Sequence, residues 1–120
     1  MRVVVLGGSA GSIDALGAIL GALPHEPGFA VLVITHLDPN EESHLAEVLQ
    51  ERTTLPVERL EHLAKVEHGR VYVLPENAGV IALDGHFRLT RRQPGLHLPI
   101  DGFLATLAQD PDQDGAVVIL

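Results

Sequence analysis

Short apolar runs alternate with amphipathic segments along the first part of the chain. Residues 2–6 and 29–35 are continuous runs of mostly β-branched and other apolar residues, a pattern typical of strands buried on both faces of a parallel sheet. Between them, apolar residues recur at helical spacing across residues 13–23, and Pro24 and Pro27 follow. The order strand, helix, strand predicts a right-handed parallel crossover.

The remainder of the chain predicts two further helices, more strands and one hairpin. Periodicity and turn residues place these elements at residues 41–52 (helix), 57–60 and 70–74 (strands), 80–83 and 86–90 (hairpin), 99–108 (helix) and 116–120 (strand). The hairpin signal is the strongest, because Asp84 and Gly85 supply the positive φ angles that a two-residue turn needs. Chain ends are usually exposed rather than apolar strands, so we expect the fold to continue beyond residue 120.

These elements predict a single domain over residues 1–120 of the α/β class. The expected architecture is a doubly wound, mostly parallel sheet with helices on both faces and a β-hairpin insertion, whose C-terminal part is missing from these residues. A chain of 120 residues supports one modest hydrophobic core, which agrees with one domain or part of one.

Composition and charge exclude several function classes. The net charge of −8 repels phosphate backbones, so we expect no nucleic-acid partner. The chain has no cysteine, which excludes disulfides, thiolate metal sites and cysteine nucleophiles. The apolar runs are far shorter than the ~20 residues that span a bilayer, and no signal-peptide core is present. We therefore expect no membrane insertion and a cytoplasmic location. Any metal would need His and carboxylate ligands, and we expect neither a metal nor a cofactor.

Candidate chemistry lies where the first two predicted strands end, because ligands of open α/β sheets gather at the carboxyl ends of the strands. The segment Gly-Gly-Ser9-Ala10-Gly-Ser joins the first strand to the first helix. Such a turn exposes Ser9 as a candidate nucleophile and aims the backbone N–H of Ala10 at an oxyanion. His36, which follows the second strand, is the candidate general base.

Each of these residues also has a plainer interpretation. The glycine-rich turn could instead cradle a phosphate, and Ser9 could be an ordinary helix N-cap. His36 could be a strand-end histidine that hydrogen-bonds the backbone, or it could bind a metal together with Asp38 and His44. The turn does not match the G-x-G-x-x-G pattern, which weakens a dinucleotide-binding role.

Four motifs, in order along the chain, resemble the catalytic domain of the chemotaxis protein-glutamate methylesterases, the CheB family. They are Gly-Gly-Ser-Ala-Gly-Ser at residues 7–12, Ile-Thr-His-Leu-Asp-Pro at 34–39 with Glu-Ser at 42–43, Val-Tyr-Val-Leu-Pro at 71–75, and His-Leu-Pro-Ile-Asp at 97–101. The resemblance covers essentially the whole chain. The residues of the second and fourth motifs are most similar to those of the family branch in which the methylesterase is fused to a receptor methyltransferase.

The resemblance implies hydrolysis of glutamate γ-methyl esters on the cytoplasmic helices of methylated chemoreceptors, and deamidation of receptor glutamines. It assigns Ser9 as nucleophile and His36 as base of a Ser-His-Asp site. The family's Asp lies in a loop after the strand that matches residues 116–120, so it falls outside this sequence. We expect weak or undetectable turnover from these 120 residues and substantial turnover from a longer parent chain.

The resemblance also bears on how the site is regulated, and two alternative functions stay open. Because no receiver domain precedes Met1, we expect either an unregulated site or control by a separate partner, such as a regulator or a chemoreceptor methyltransferase. The main alternative is a non-catalytic module that binds receptors or signals with the same fold. A weaker alternative is an anion-binding or nucleotide-binding module that uses the start of the first helix.

Overall fold

A computed structural model describes residues 2–8, 13–35, 44–75, 78–83, 86–91 and 114–119. Its elements, in chain order, are β1 (Arg2–Gly8), α1 (Ile13–Ala22), β2 (Ala30–Thr35), α2 (Leu45–Gln50), β3 (Val57–Arg59), β4 (Ala64–Lys65), β5 (Val71–Val73), β6 (Ala78–Leu83), β7 (His86–Arg91) and β8 (Asp114–Ile119). Neither helix in this part of the chain has the length and apolar character that crossing a bilayer requires.

Five of the strands form a parallel sheet in the order β3-β5-β2-β1-β8. The apolar β2 is central, and all six of its residues are buried. A strand covered on both faces cannot show the polar alternation of a half-exposed strand, which explains its continuous apolar run. The predicted α/β class and parallel sheet are therefore confirmed.

One face of the parallel sheet is covered by the two helices. Leu16 and Leu20 of α1, with Leu45 and Leu49 of α2, pack in one buried cluster with Val33 of β2 and its neighbours. Burial of each such side chain stabilises the fold by roughly 1.5–3 kcal/mol. This cluster holds both helices against one face of the parallel sheet.

A second, three-stranded antiparallel sheet covers the opposite face, in the order β4-β7-β6. Val80, Ala82 and Phe87 of this sheet are buried against Val5 and Leu32 of the parallel sheet. The predicted hairpin is confirmed, since β6 pairs antiparallel with β7 and Leu83 lies opposite His86. The short β4, which the sequence did not predict, completes this layer by pairing with β7.

Helices were expected on both faces of the parallel sheet. Both helices in the described part of the chain lie on one face, and the small antiparallel sheet occupies the other. The third predicted helix, at residues 99–108, lies outside the described residues. The other predicted strands and helices correspond to described elements with small shifts at their ends.

Close packing between α1 and the end of α2 depends on two glycines of α1. A Cβ added at Gly17 would lie 3.0 Å from the Arg52 side chain, and one at Gly21 would lie 2.9 Å from the Arg52 backbone oxygen. The Arg52 guanidinium also pairs with Asp14, at 3.3 Å between nitrogen and oxygen. The absence of side chains at these glycines lets the end of α2 approach α1.

We expect Gly21→Ala to lower the free energy of unfolding by about 1 kcal/mol. Overpacking costs about 1–3 kcal/mol, and the gain of about 0.5–1 kcal/mol in helix propensity only partly offsets it. Gly28→Ala is the matched control, because no atom lies within 4 Å of a Cβ there. Urea denaturation measures both variants. Equal stability for both would show that the approach of Arg52 to α1 has no energetic consequence.

Tyr72 of β5 connects the two sheets. Its ring meets the Phe87 ring edge to face, with centroids 5.7 Å apart. Its hydroxyl accepts a hydrogen bond from the Glu67 backbone N–H (2.9 Å) and donates one to the Lys65 backbone oxygen (3.2 Å). Burial raises the pKa of the phenol above its ordinary value of 10.0.

The raised pKa of Tyr72 makes stability fall in alkaline solution. Below pH 10 both the folded and the unfolded chain keep the phenol protonated, and above it the unfolded chain releases its proton first. The free energy of unfolding should therefore decrease as the pH rises toward the folded-state pKa. Urea midpoints measured from about pH 9 to about pH 11 should decline more steeply in the wild type than in Tyr72→Phe. Parallel declines would contradict this role, because the chain has one tyrosine.

Candidate functional site

The two central strands β1 and β2 end side by side. They run parallel, and their last residues, Gly8 and Thr35, are Cα partners in the register. Neighbouring strands lie about 4.8 Å apart, so the chain leaves the sheet from adjacent positions at the same edge. The next residue after Gly8 is Ser9, and the next after Thr35 is His36.

The predicted site residues themselves lie beyond these strand ends. Ser9, Ala10 and His36 are outside the described residues, as is Asp38 of the alternative metal set. The register of β1 and β2 brings together the two positions from which Ser9 and His36 depart. Their roles as nucleophile, oxyanion donor and base stay predictions.

The order of the strands reverses direction at β1. From β1 the chain crosses to β2, then to β3 at the edge of the sheet and back to β5, all on one side, and it later returns to β8 on the other side of β1. In open α/β sheets, ligands bind at the carboxyl ends of the strands where this reversal occurs. The carboxyl end of β1, the strand that precedes Ser9 in the sequence, lies at that point of the sheet.

The strand β8 completes the same edge from the opposite side. It pairs parallel with β1, and Ile119 is the Cα partner of Gly7. A connection that leaves β8 at its carboxyl end therefore starts next to the β1 end. The carboxyl ends of β2, β1 and β8 form one row along the sheet.

Thr35 is the polar residue at this edge, and sequence reasoning missed it. The residue is 7% exposed, and its Oγ1 has no hydrogen-bond partner among the described residues. A buried hydroxyl without a partner costs about 1–3 kcal/mol, so its presence requires an explanation. The signal in the sequence was the single hydroxyl at the end of an otherwise apolar strand.

The described histidines do not form a metal site. His44 is exposed, and its Nδ1 lies 3.2 Å from a carboxylate oxygen of Glu47, three residues further along the chain. No group of three or more His, Asp or Glu residues in the described ranges could hold a metal ion. His25, His62 and His68 are exposed, as expected for loop residues, whereas His86 is half-buried in β7 and His97 lies outside the described residues.

Comparisons with known proteins agree on one family. The family model described as "CheB methylesterase" matches residues 4–120. A Cupriavidus metallidurans protein named protein-glutamate methylesterase/protein-glutamine glutaminase 2 is 38% identical over 92 residues, which cover 74% of this chain and 24% of that protein. A Hahella chejuensis protein named protein-glutamate methylesterase/protein-glutamine glutaminase 3 is 26% identical across 98% of this chain and 35% of its own length.

The fold is similar to that of a solved methylesterase catalytic domain. The crystal structure of the Thermotoga maritima CheB methylesterase catalytic domain superposes with a TM-score of 0.79 at 25% sequence identity. The similarity covers 98% of this chain and 65% of that one. The chain thus spans less than two thirds of each of these three proteins.

The register of β1 and β2 can be tested by cross-linking, because the chain contains no cysteine. A variant with Ser9→Cys and His36→Cys should react rapidly with a short bismaleimide to give an intramolecular bridge. The control combines Arg2→Cys with His36→Cys, which are separated by the length of β1, roughly 20 Å. Mass spectrometry of tryptic digests distinguishes the products. Equal bridging in both variants would contradict the register.

Proposed function

The chain belongs to the CheB methylesterase family, and we propose that it hydrolyses the γ-methyl ester of protein glutamate residues, with Ser9 as nucleophile and His36 as general base. The observation that carries this proposal is the Cα pairing of Gly8 with Thr35, the residues that precede Ser9 and His36. The neighbouring strand ends support this assignment, because proton transfer between a serine and a histidine requires the two side chains to lie close together.

The first half of the reaction forms an acyl-enzyme. The Ser9 oxygen attacks the ester carbonyl carbon while the imidazole of His36 takes the hydroxyl proton. The carbonyl oxygen becomes negatively charged, and the Ala10 N–H donates a hydrogen bond to it. As the carbon–oxygen bond to the methoxy group breaks, His36 donates the proton to the methoxy oxygen, and methanol leaves.

The second half of the reaction regenerates the enzyme. A water molecule attacks the acyl carbon while His36 accepts one of its protons. The bond to the Ser9 oxygen then breaks, Ser9 regains a proton from His36, and the product is a glutamate carboxylate. With a glutamine side chain as substrate, the same steps release ammonia in place of methanol, which is the glutaminase activity named for the relatives.

A third group orients His36 in a triad of this kind. The resemblance to the family implies an Asp in the connection that follows the strand β8. The pairing of Ile119 with Gly7 supports this location, because a connection from that end of β8 begins beside the Ser9 position. A carboxylate there would hold the imidazole in the tautomer that accepts the Ser9 proton.

The substrate class follows from the family rather than from the described residues. We propose methylated glutamates on the cytoplasmic helices of chemoreceptors, since the resemblance is to the chemotaxis methylesterases. The net charge of −8 does not suit a nucleic-acid or anionic-lipid substrate. The proposed partners are therefore methylated receptors, together with a methyltransferase or regulator that controls their methylation.

Replacing the nucleophile tests the mechanism directly. In the protein as its gene encodes it, Ser9→Ala should lower the rate of methanol release from methylated receptor by at least about 10³-fold, because the hydroxyl is the attacking group. The control is Thr54→Ala, which removes an exposed hydroxyl after α2 and should leave the rate unchanged. Methanol release is followed by an enzyme-coupled assay.

A serine-directed phosphonate separates catalysis from binding. An activated Ser9 should be labelled in the wild-type protein, with the label located by peptide mass spectrometry, whereas an N-cap serine is unreactive. Activity that survives Ser9→Ala would contradict the proposed mechanism. A protein that binds receptor but neither reacts with the probe nor releases methanol would instead be a non-catalytic receptor-binding module.

A further inference from the structure

Leu63 is the most exposed large apolar residue in the described part of the chain. It is 53% exposed, and Val48 of α2, at 38%, is the other exposed large apolar residue in the same ranges. One exposed leucine is ordinary on a protein surface. Leu63 is unusual because its backbone conformation also disfavours a leucine.

The backbone of Leu63 lies in the left-handed region, with a φ of 59°. The Ala64 N–H donates a hydrogen bond to the Glu61 carbonyl oxygen (3.2 Å), so residues 61–64 form a β-turn with Leu63 as the third residue. A left-handed third residue favours glycine or asparagine, because other side chains bring their Cβ close to the following carbonyl oxygen. Folding therefore gives little reason for a leucine here, whereas an apolar contact with another molecule would give one.

The turn at residues 61–64 lies at the same edge of the parallel sheet as the candidate site. β3 runs parallel to β5, and β5 runs parallel to β2, with Arg59, Val73 and Val33 at the same level in the register. Leu60 extends this pairing by one residue, since its N–H donates to the Val73 carbonyl oxygen. The turn begins directly after Leu60, so it follows the carboxyl end of β3.

The separation between this turn and the end of β1 suits a helical substrate. The strand order β3-β5-β2-β1 places β3 three strand spacings from β1, or about 14 Å. A helix rises about 1.5 Å per residue, so about ten residues of a helix lying along the edge span that separation. A helix that presents a glutamate at the end of β1 therefore reaches Leu63 two to three helical turns further along.

We propose that Leu63 is a docking residue for the substrate, which packs against an apolar side chain of the receptor helix two to three helical turns from the methylated glutamate. This inference rests on the proposed function and adds a substrate contact to it. Because the contact is remote from the reacting atoms and is the same before and during the reaction, it acts on affinity for the receptor and not on the chemistry of Ser9.

The test compares Leu63→Asn, which removes the apolar side chain, with Leu63→Met, which keeps one of similar size, in the protein as its gene encodes it. Asparagine tolerates the left-handed backbone, so the turn is preserved. With methylated receptor, Leu63→Asn should raise KM and Kd about tenfold, the loss expected when a half-exposed leucine no longer becomes buried. Its kcat and the rate of phosphonate labelling of Ser9 should stay within about twofold of the wild type. Leu63→Met should keep the wild-type KM and Kd.

Substrate length gives a second comparison. A methylated receptor peptide that ends within one helical turn of the glutamate cannot reach Leu63, so the wild type and Leu63→Asn should hydrolyse it with the same KM. This reaction also shows that the variant is folded. The control is Val48→Ala, which shortens the other exposed apolar side chain and should leave the KM for receptor unchanged.

The proposal is overturned if Leu63→Asn keeps the KM and Kd for receptor within about twofold of the wild type, or if Leu63→Met loses as much affinity as Leu63→Asn. An equal loss with the short peptide, or a slower labelling of Ser9, would also overturn it, because Leu63 would then act on the site itself. The same rise in KM with Val48→Ala would show that the loss does not depend on this turn, which contradicts the proposal.

Failure of this inference can be distinguished from failure of the proposed function. If Ser9→Ala abolishes methanol release and labelling while Leu63→Asn changes neither KM nor Kd, the catalytic role of Ser9 stands and the docking role of Leu63 is wrong. If Ser9→Ala retains activity, the proposed mechanism is wrong, and the Kd of Leu63→Asn for methylated receptor still decides whether Leu63 binds it.

Discussion

The in-register parallel pairing of β1 with β2 is the constraint on which the rest of the structure depends. Six consecutive Cα pairs, from Val3 with Ala30 to Gly8 with Thr35, lock the two strands together along their length. A slip of one residue would turn the buried side chains of one strand toward the wrong layer, so the two hydrophobic clusters hold this register in place. The same pairing makes the connections to α1 and α2 leave the sheet side by side.

The two covered faces of the parallel sheet have different functions in this arrangement. The helix-covered face anchors the segments on either side of the candidate site, because α1 follows the Ser9 connection and α2 follows the His36 connection. The antiparallel sheet buries the opposite face and is joined to it by the contact between Tyr72 and Phe87. Because both faces are covered, the carboxyl edge of the strands stays open, and this edge is where α/β sheets of this kind bind their ligands.

Much of the fold was predictable because most of its elements have strong local signals. The apolar runs of β1 and β2, the helical period of α1 and the Asp-Gly turn between β6 and β7 each report on their own conformation. The strand β4 was missed because Ala64 and Lys65 have no strand signal of their own and extend only where β7 offers a partner. The hairpin of β6 and β7 was predicted, but its packing against the second face of the parallel sheet was not, since local periodicity does not report which element covers a buried strand.

For the candidate site, the sequence by itself determined the residue types and their positions at strand ends: a serine in a glycine-rich turn after β1 and a histidine after β2. Only the tertiary structure decided that β1 and β2 are neighbours, that Gly8 is opposite Thr35, and that β8 lies on the other side of β1. It also decided that the Thr35 hydroxyl is buried without a partner among the described residues. The physical reason is that strand order and register arise from long-range packing, and continuous apolar runs fit many neighbours equally well until the helices and the second sheet are in place.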